Sequence, residues 1–227
     1  FTDALSAASS STSKKVVLKD GTYTFGNSHC SDSNINSVTF TAENLHGATI
    51  SDGASRKVIA SGIDNTLNIE NLHLYGGDHF VHSGQIQGSL KLVAKGCKIT
   101  GPKYLFFNDH TLYGCLCITN ANNMQIFAGN GSANSCTILN TSSSVNSPII
   151  QGTDFDCTNC IFWTTNSTTA KPNLGTNISC VSHNFAAQSG FIDAEPQFID
   201  IANGDFRLRP SSAGVGGIKP EESNTYY

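Results

Sequence analysis

The chain has 227 residues, enough for one sizeable core. Charged residues make up only 13% of it, about half the usual ~25%, and hydrophobic residues 38%. A net charge of −4 with no run of Lys or Arg excludes a nucleic-acid footprint, and no apolar stretch of about 18 residues is present to span a membrane.

In chain order, Asp3 to Ala8 carries a short helix pattern with Thr2 or Asp3 as its N-cap. Val16-Val17-Leu18 reads as a strand, Lys19-Asp20-Gly21 as a turn and Thr22 to Phe25 as a second strand. Three strand signals then recur in order. The first is Lys57 to Ala60, His79 to His82, Tyr104 to Phe107 and Pro148 to Gln151. The second is Leu67 to Ile69, Leu90 to Val93, Leu116 to Ile118 and Phe155 to Cys157. The third is Leu72 to Leu74, Cys97 to Ile99, Met124 to Ile126 and Cys160 to Phe162. The first signal returns after 22, 25 and then 44 residues, so the last interval holds an extra coil built on Cys136 to Leu139 or a long loop.

A period of roughly 20–25 residues with three short strands is one turn of a β-helix, whose coils form a continuous core only when stacked. Asn71, Gly96, Asn123 and Asn159 fall between the second and third signals, and Asn44 begins the series. Asn and Gly tolerate the left-handed backbone such a corner needs. Cys97 and Cys160 share an interior column with Leu72, and Cys157 and Cys160 face inward from neighbouring walls. A buried disulfide or packed thiols therefore outweigh zinc at Cys157-x-x-Cys160, and eight cysteines point to disulfides in an oxidising compartment. The start at Phe1 is consistent with removal of a signal peptide.

The helix followed by Val16-Val17-Leu18-Lys19-Asp20-Gly21-Thr22-Tyr23-Thr24-Phe25 resembles the opening of pectate-lyase-like β-helices, where a helix plugs the open coil. The Asn-rich corner resembles their asparagine ladder. Asp193 to Asp200, then Asn203 to Ser212, resembles the closing motif of secreted bacterial β-helix proteins, although Ala194-Glu195 interrupts its Asp-Pro pair and Ala213 replaces its second proline. The resemblance implies an all-β, right-handed, single-stranded parallel β-helix with an N-terminal capping helix. It makes residues 1–227 one domain, with cap and first strands at 1–25, coils at 38–163 and closing motif at 190–219.

Lyases of that fold hold Ca²⁺ on stacked carboxylates and use an Arg or Lys as base. Here Arg occurs only at 56, 207 and 209, and no strand column stacks Asp or Glu. Arg56, Asp78 and Lys103 do precede the first strand of successive coils, as a surface ion-pair ladder or as the catalytic group for an acidic sugar. Tyr104, Tyr113 and Trp163 are candidate stacking platforms, with His79 and His82 beside them. Asn130, Asn140, Asn166 and Asn177 head glycosylation sequons. The expected function is a non-catalytic, secreted or cell-surface module, structural, adhesive or fibre-forming, that associates with copies of itself through an open coil end or along one face. It needs no cofactor. The alternative is a polysaccharide lyase or hydrolase, with Ca²⁺ if a lyase, or glycan binding without cleavage.

Overall fold

The structure is a computed structural model. It describes residues 4, 7–8, 10–24, 29–30, 37–51, 59–60, 65–75, 79–81, 90–101, 104–107, 110–120, 127–128, 130–142, 150–151, 155–165, 175–186 and 189–212, some of the strands in backbone only. The chain forms the expected parallel β-solenoid. An eight-stranded sheet runs through Lys15–Leu18, Val38–Ala42, Asn65–Glu70, Leu90–Lys95, His110–Tyr113, Gly131–Asn134, Phe155–Thr158 and Asn177–Ile178. A nine-stranded sheet runs through Gly21–Thr24, Ala48–Ser51, His73–Tyr75, Lys98–Gly101, Leu116–Thr119, Thr137–Asn140, Ile161–Thr164, Cys180–His183 and Phe191–Asp193. A four-stranded sheet of His79–Val81, Tyr104–Phe107, Phe127–Ala128 and Ile150–Gln151 forms the third wall. Four turns thus carry a strand in all three sheets. At the N-terminal end Ala8 is buried, and Ala4 packs on the same core.

The winding follows from period-two alternation along each strand. Leu67, Ile69, Leu92, Ala94, Leu112, Ala133 and Cys157 point inward from the eight-stranded sheet. Ala48, Ile50, Leu74, Ile99, Cys117, Ile138 and Phe162 meet them from the nine-stranded one. The two sheets join at a sharp corner. His46, Asn71, Gly96, Gly114, Ser135, Asn159 and Ser179 occupy it in successive coils, each with φ between 53° and 59°. Each coil's corner N–H bonds the coil above: Asn71 donates to Lys95 O, Gly96 to Tyr113 O and Ser135 to Thr158 O, all at 2.9 Å.

Three expectations are corrected here. Leu116 to Ile118 belongs to the nine-stranded sheet beside Lys98 to Thr100, because Gly114 supplies that coil's left-handed corner and His110–Tyr113 fills the place before it. Asn123 and Met124 to Ile126 lie outside the described residues. The first corner is His46 rather than Asn44, whose Nδ2 instead reaches Asp20 Oδ2 at 3.0 Å. With two Asn among seven corner residues, the corner is not an asparagine ladder. The 44-residue interval does hold an extra coil, since Phe106 pairs with Phe127 and Phe127 with Ile150, around Thr137–Asn140.

The C-terminal stretch closes the fold as an antiparallel hairpin, Phe198–Asp200 with Asp205–Leu208. It lies on the outside of the nine-stranded sheet. Leu116, Leu139, Ile161, Trp163 and Val181 form a second apolar cluster there with Phe198 and Phe206. Arg209 locks the hairpin by donating from Nε to Phe198 O and from its terminal nitrogen to Ile199 O, both at 3.1 Å.

Candidate functional site

The predicted site residues scatter. Arg56, Asp78, Lys103 and His82 lie outside the described residues. His79 and Tyr104 pair with each other in the four-stranded sheet, described there in backbone only. Tyr113 ends a strand with its ring exposed, between Lys95 and Asn134 on the outside of the eight-stranded sheet. Trp163 is not a stacking platform. It is 9% exposed, held edge-on against Phe198 with ring centroids 6.2 Å apart. The hairpin takes its face because six apolar neighbours offer more burial than solvent does.

Glycosylation at Asn140 is also overturned. Its side chain is fully buried, and its Oδ1 accepts the Ser142 N–H at 2.8 Å. Asn130 is exposed, Asn177 Nδ2 donates to Ser189 O at 3.1 Å, and Asn166 lies outside the described residues.

The cysteines form a different feature from the expected bridges. Cys97, Cys115, Cys136, Cys160 and Cys180 each follow a corner residue, so they stack in one interior column above Leu72. Cys97 and Cys160 share that column as expected. All five are free thiols, as are Cys117 and Cys157. Coils stack about 4.8 Å apart with parallel Cβ vectors, wider than the roughly 3.8 Å between Cβ atoms that a disulfide needs. The thiols donate to backbone carbonyls instead: Cys97 to Ile69 O at 3.4 Å, Cys136 to Asn134 O at 3.3 Å and Cys160 to Ala133 O at 3.4 Å. Burial pushes the Cys97, Cys117 and Cys136 thiols well above their ordinary value. Protonated and without solvent contact, they are packing groups and not nucleophiles. Among the described residues no group of three or more His, Cys, Asp or Glu is arranged to hold a metal ion.

Two surfaces have chemistry the core does not use. The first is the outside of the nine-stranded sheet in its first four coils. Thr49, His73 and Lys98 stack in one column, Ser51, Tyr75 and Thr100 in the next. His73 Nε2 lies 2.7 Å from Thr100 Oγ1, its Nδ1 3.4 Å from Thr49 Oγ1, and Tyr75 stands exposed beside it. His46 reaches along the corner to place Nε2 2.8 Å from Gly96 O. Desolvation and then Lys98 lower His73 to about 4, and His46 is lowered mainly by desolvation too. The second surface is the C-terminal end. The eight-stranded sheet finishes on Asn177–Ile178 and the nine-stranded sheet on Phe191–Asp193. Ile178 is 55% and Ile192 57% exposed. Sequence reasoning expected contact at an open coil end without naming which end or which residues, and it missed the first surface, because both depend on which coil stacks on which.

These features place the chain among parallel β-solenoids. Comparison with protein-family models, with curated proteins and with solved structures finds no match. Among the described residues, no helix is long and apolar enough to cross a membrane.

Proposed function

We propose that this chain is a non-catalytic, extracellular β-helix module of the pectate-lyase-like kind, structural or adhesive, which associates with a second copy through its C-terminal end. One observation carries the reading: among the described residues both ends of the coil stop on strands paired on one side only, and the C-terminal pair carries the exposed isoleucines. At the N-terminal end Ala8 is buried on the core. At the C-terminal end both long sheets stop on a strand with an exposed isoleucine, and among the described residues neither strand pairs further. An unpaired edge with apolar side chains is a template for another strand. A two-fold axis brings the same edge of a second copy against it and satisfies both at once.

An extracellular setting is supported by the low charge, the abundant Ser, Thr and Asn, and the closing hairpin. Free thiols do not oppose it, because a sulfur without solvent contact is out of reach of an oxidant. Multi-angle light scattering across a concentration series tests the association. The wild-type chain is expected to run as a dimer, and Ile178→Asp with Ile192→Asp as a monomer of unchanged circular dichroism. A wild-type monomer at every concentration would refute the reading.

A further inference from the structure

We infer that the coil interior binds one water molecule between Asn140 and Thr164, and that this water is a fixed part of the fold. Both residues end strands of the nine-stranded sheet. Period-two alternation turns their side chains inward: Ile138 and Phe162, two residues earlier, lie in the main core, while Leu139 and Trp163 between them belong to the outer cluster. Both side chains are fully buried, and the two residues are register partners in consecutive coils. Thr119, the register partner of Asn140 on its other side, is buried too, so three polar residues interrupt the apolar interior in one column. The bond from the Ser142 N–H fixes the Asn140 amide, because it makes Oδ1 the acceptor and leaves Nδ2 as the donor. Asn140 Nδ2 and Thr164 Oγ1 then have no hydrogen-bond partner among the described residues.

Two unmet polar atoms in one buried column set the class of ligand. Folded interiors rarely keep a polar group unpaired, because its lost hydration is not returned. Residues one coil apart stand about 4.8 Å from each other, longer than one hydrogen bond and close to the span of two with a single oxygen between them. A water meets both needs at once: its oxygen accepts from Asn140 Nδ2, and one of its hydrogens goes to Thr164 Oγ1. An ion does not. An anion would accept from both groups, but among the described residues no cationic side chain lies in this column, and an unpaired buried charge is worse than the unmet groups themselves. A cation is opposed by the Nδ2 hydrogens. Thr137 marks the limit of the argument. Its Oγ1 is also buried without a partner, but it lies in register between Leu116 and Ile161 of the outer cluster. A water needs at least two polar partners, so apolar neighbours confine the site to the interior column.

A high-resolution crystal structure, with NMR magnetisation transfer from water to the Asn140 side-chain amide, tests the site. Wild-type protein is expected to show one ordered water within hydrogen-bond distance of both Asn140 Nδ2 and Thr164 Oγ1, and transfer to the Nδ2 protons. Thr164→Ser should keep that water and Thr164→Val should lose it. In thermal unfolding Thr164→Val should lower the midpoint, since Asn140 Nδ2 loses its bridged partner. Asn140→Leu should then lower the midpoint less in the Thr164→Val background than in the wild-type chain. Thr137→Val, the same change outside the column, should raise the midpoint instead. The inference is overturned if the wild-type site is dry and the Asn140 protons receive no transfer, if a crystal soaked in bromide shows an anomalous peak there, or if Thr164→Val raises the midpoint as Thr137→Val does. The wild-type measurements decide the matter even where a variant fails to fold. The coil ends take no part in the site, so its failure would leave self-association untouched.

Discussion

The outside of the nine-stranded sheet changes character at Leu116. Before it, in four coils, the outward residues are Thr22, Thr24, Thr49, Ser51, His73, Tyr75, Lys98 and Thr100. After it they are Leu116, Ile118, Leu139, Ile161, Trp163 and Val181, relieved only by Thr137 and His183. The inner face keeps one apolar pattern throughout, so it sets the winding alone. The outer face has no part in the winding and is free to differ: one half presents hydroxyls and bases to solvent, the other receives the chain's own C-terminal hairpin. A solenoid of this kind thus separates what folds it from what it offers to partners.

The contrast is broken most strongly at Trp163. Trp163→Ala removes the centre of the outer cluster and its edge contact with Phe198, and should cost about 3–5 kcal/mol in urea unfolding. The matching change in the polar half, Thr100→Ala, should stay within about 0.5–1 kcal/mol, since it deletes one partly exposed hydrogen bond. Equal losses would mean that the hairpin does not cover the sheet.

The corner gives an intermediate effect. Gly96 has φ +58°, and a Cβ there would stand 2.7 Å from Asn71 Oδ1. Gly96→Ala should cost about 1–2 kcal/mol, and adding Asn71→Ala should recover part of it. A double-mutant cycle without coupling would contradict the stacked corner.

His73 should produce a smaller, pH-dependent effect. Its folded value, about 4, lies below the ordinary 6.5, so the unfolded chain binds more protons between those values. Stability should be full above pH 6.5, fall as pH drops towards 4 and level off below. His73→Gln should flatten that part of the profile, read from melting temperatures across pH. The smallest signal is chemical: the seven described thiols should be inert to a thiol reagent in the folded chain and react only in denaturant.

The winding was legible in the sequence because burial writes it directly. Leu67, Ile69, Leu92, Leu74 and Ile99 alternate with polar residues, and His79, Tyr104 and Ile150 recur at coil spacing. The misplaced coil failed for a local reason. Gly114 needs only its own left-handed backbone, and nothing about it requires Asn. A sharper signal was available: Gly96-Cys97, Gly114-Cys115, Ser135-Cys136, Asn159-Cys160 and Ser179-Cys180 mark five corners in order. Trp163 misled because a strand ending in exposed or covered sheet reads alike, and only the hairpin's landing place decides. The hydroxyl-flanked imidazole was invisible because Thr49, His73 and Thr100 are far apart in sequence and meet only through register.

The in-register stacking on which all this rests is measured most directly by electron–electron double resonance, with spin labels on introduced keto side chains that spare the native thiols. Lys15, Thr39, Asn68, Val93, Thr111, Ser132 and Asp156 form one outward column. With one label fixed at 156, partners at 68, 39 and 15 should give distances of about 19, 24 and 29 Å, one coil of about 4.8 Å at a time. Distances that fail to lengthen in that order, or that rise by unequal jumps, would contradict the parallel coil.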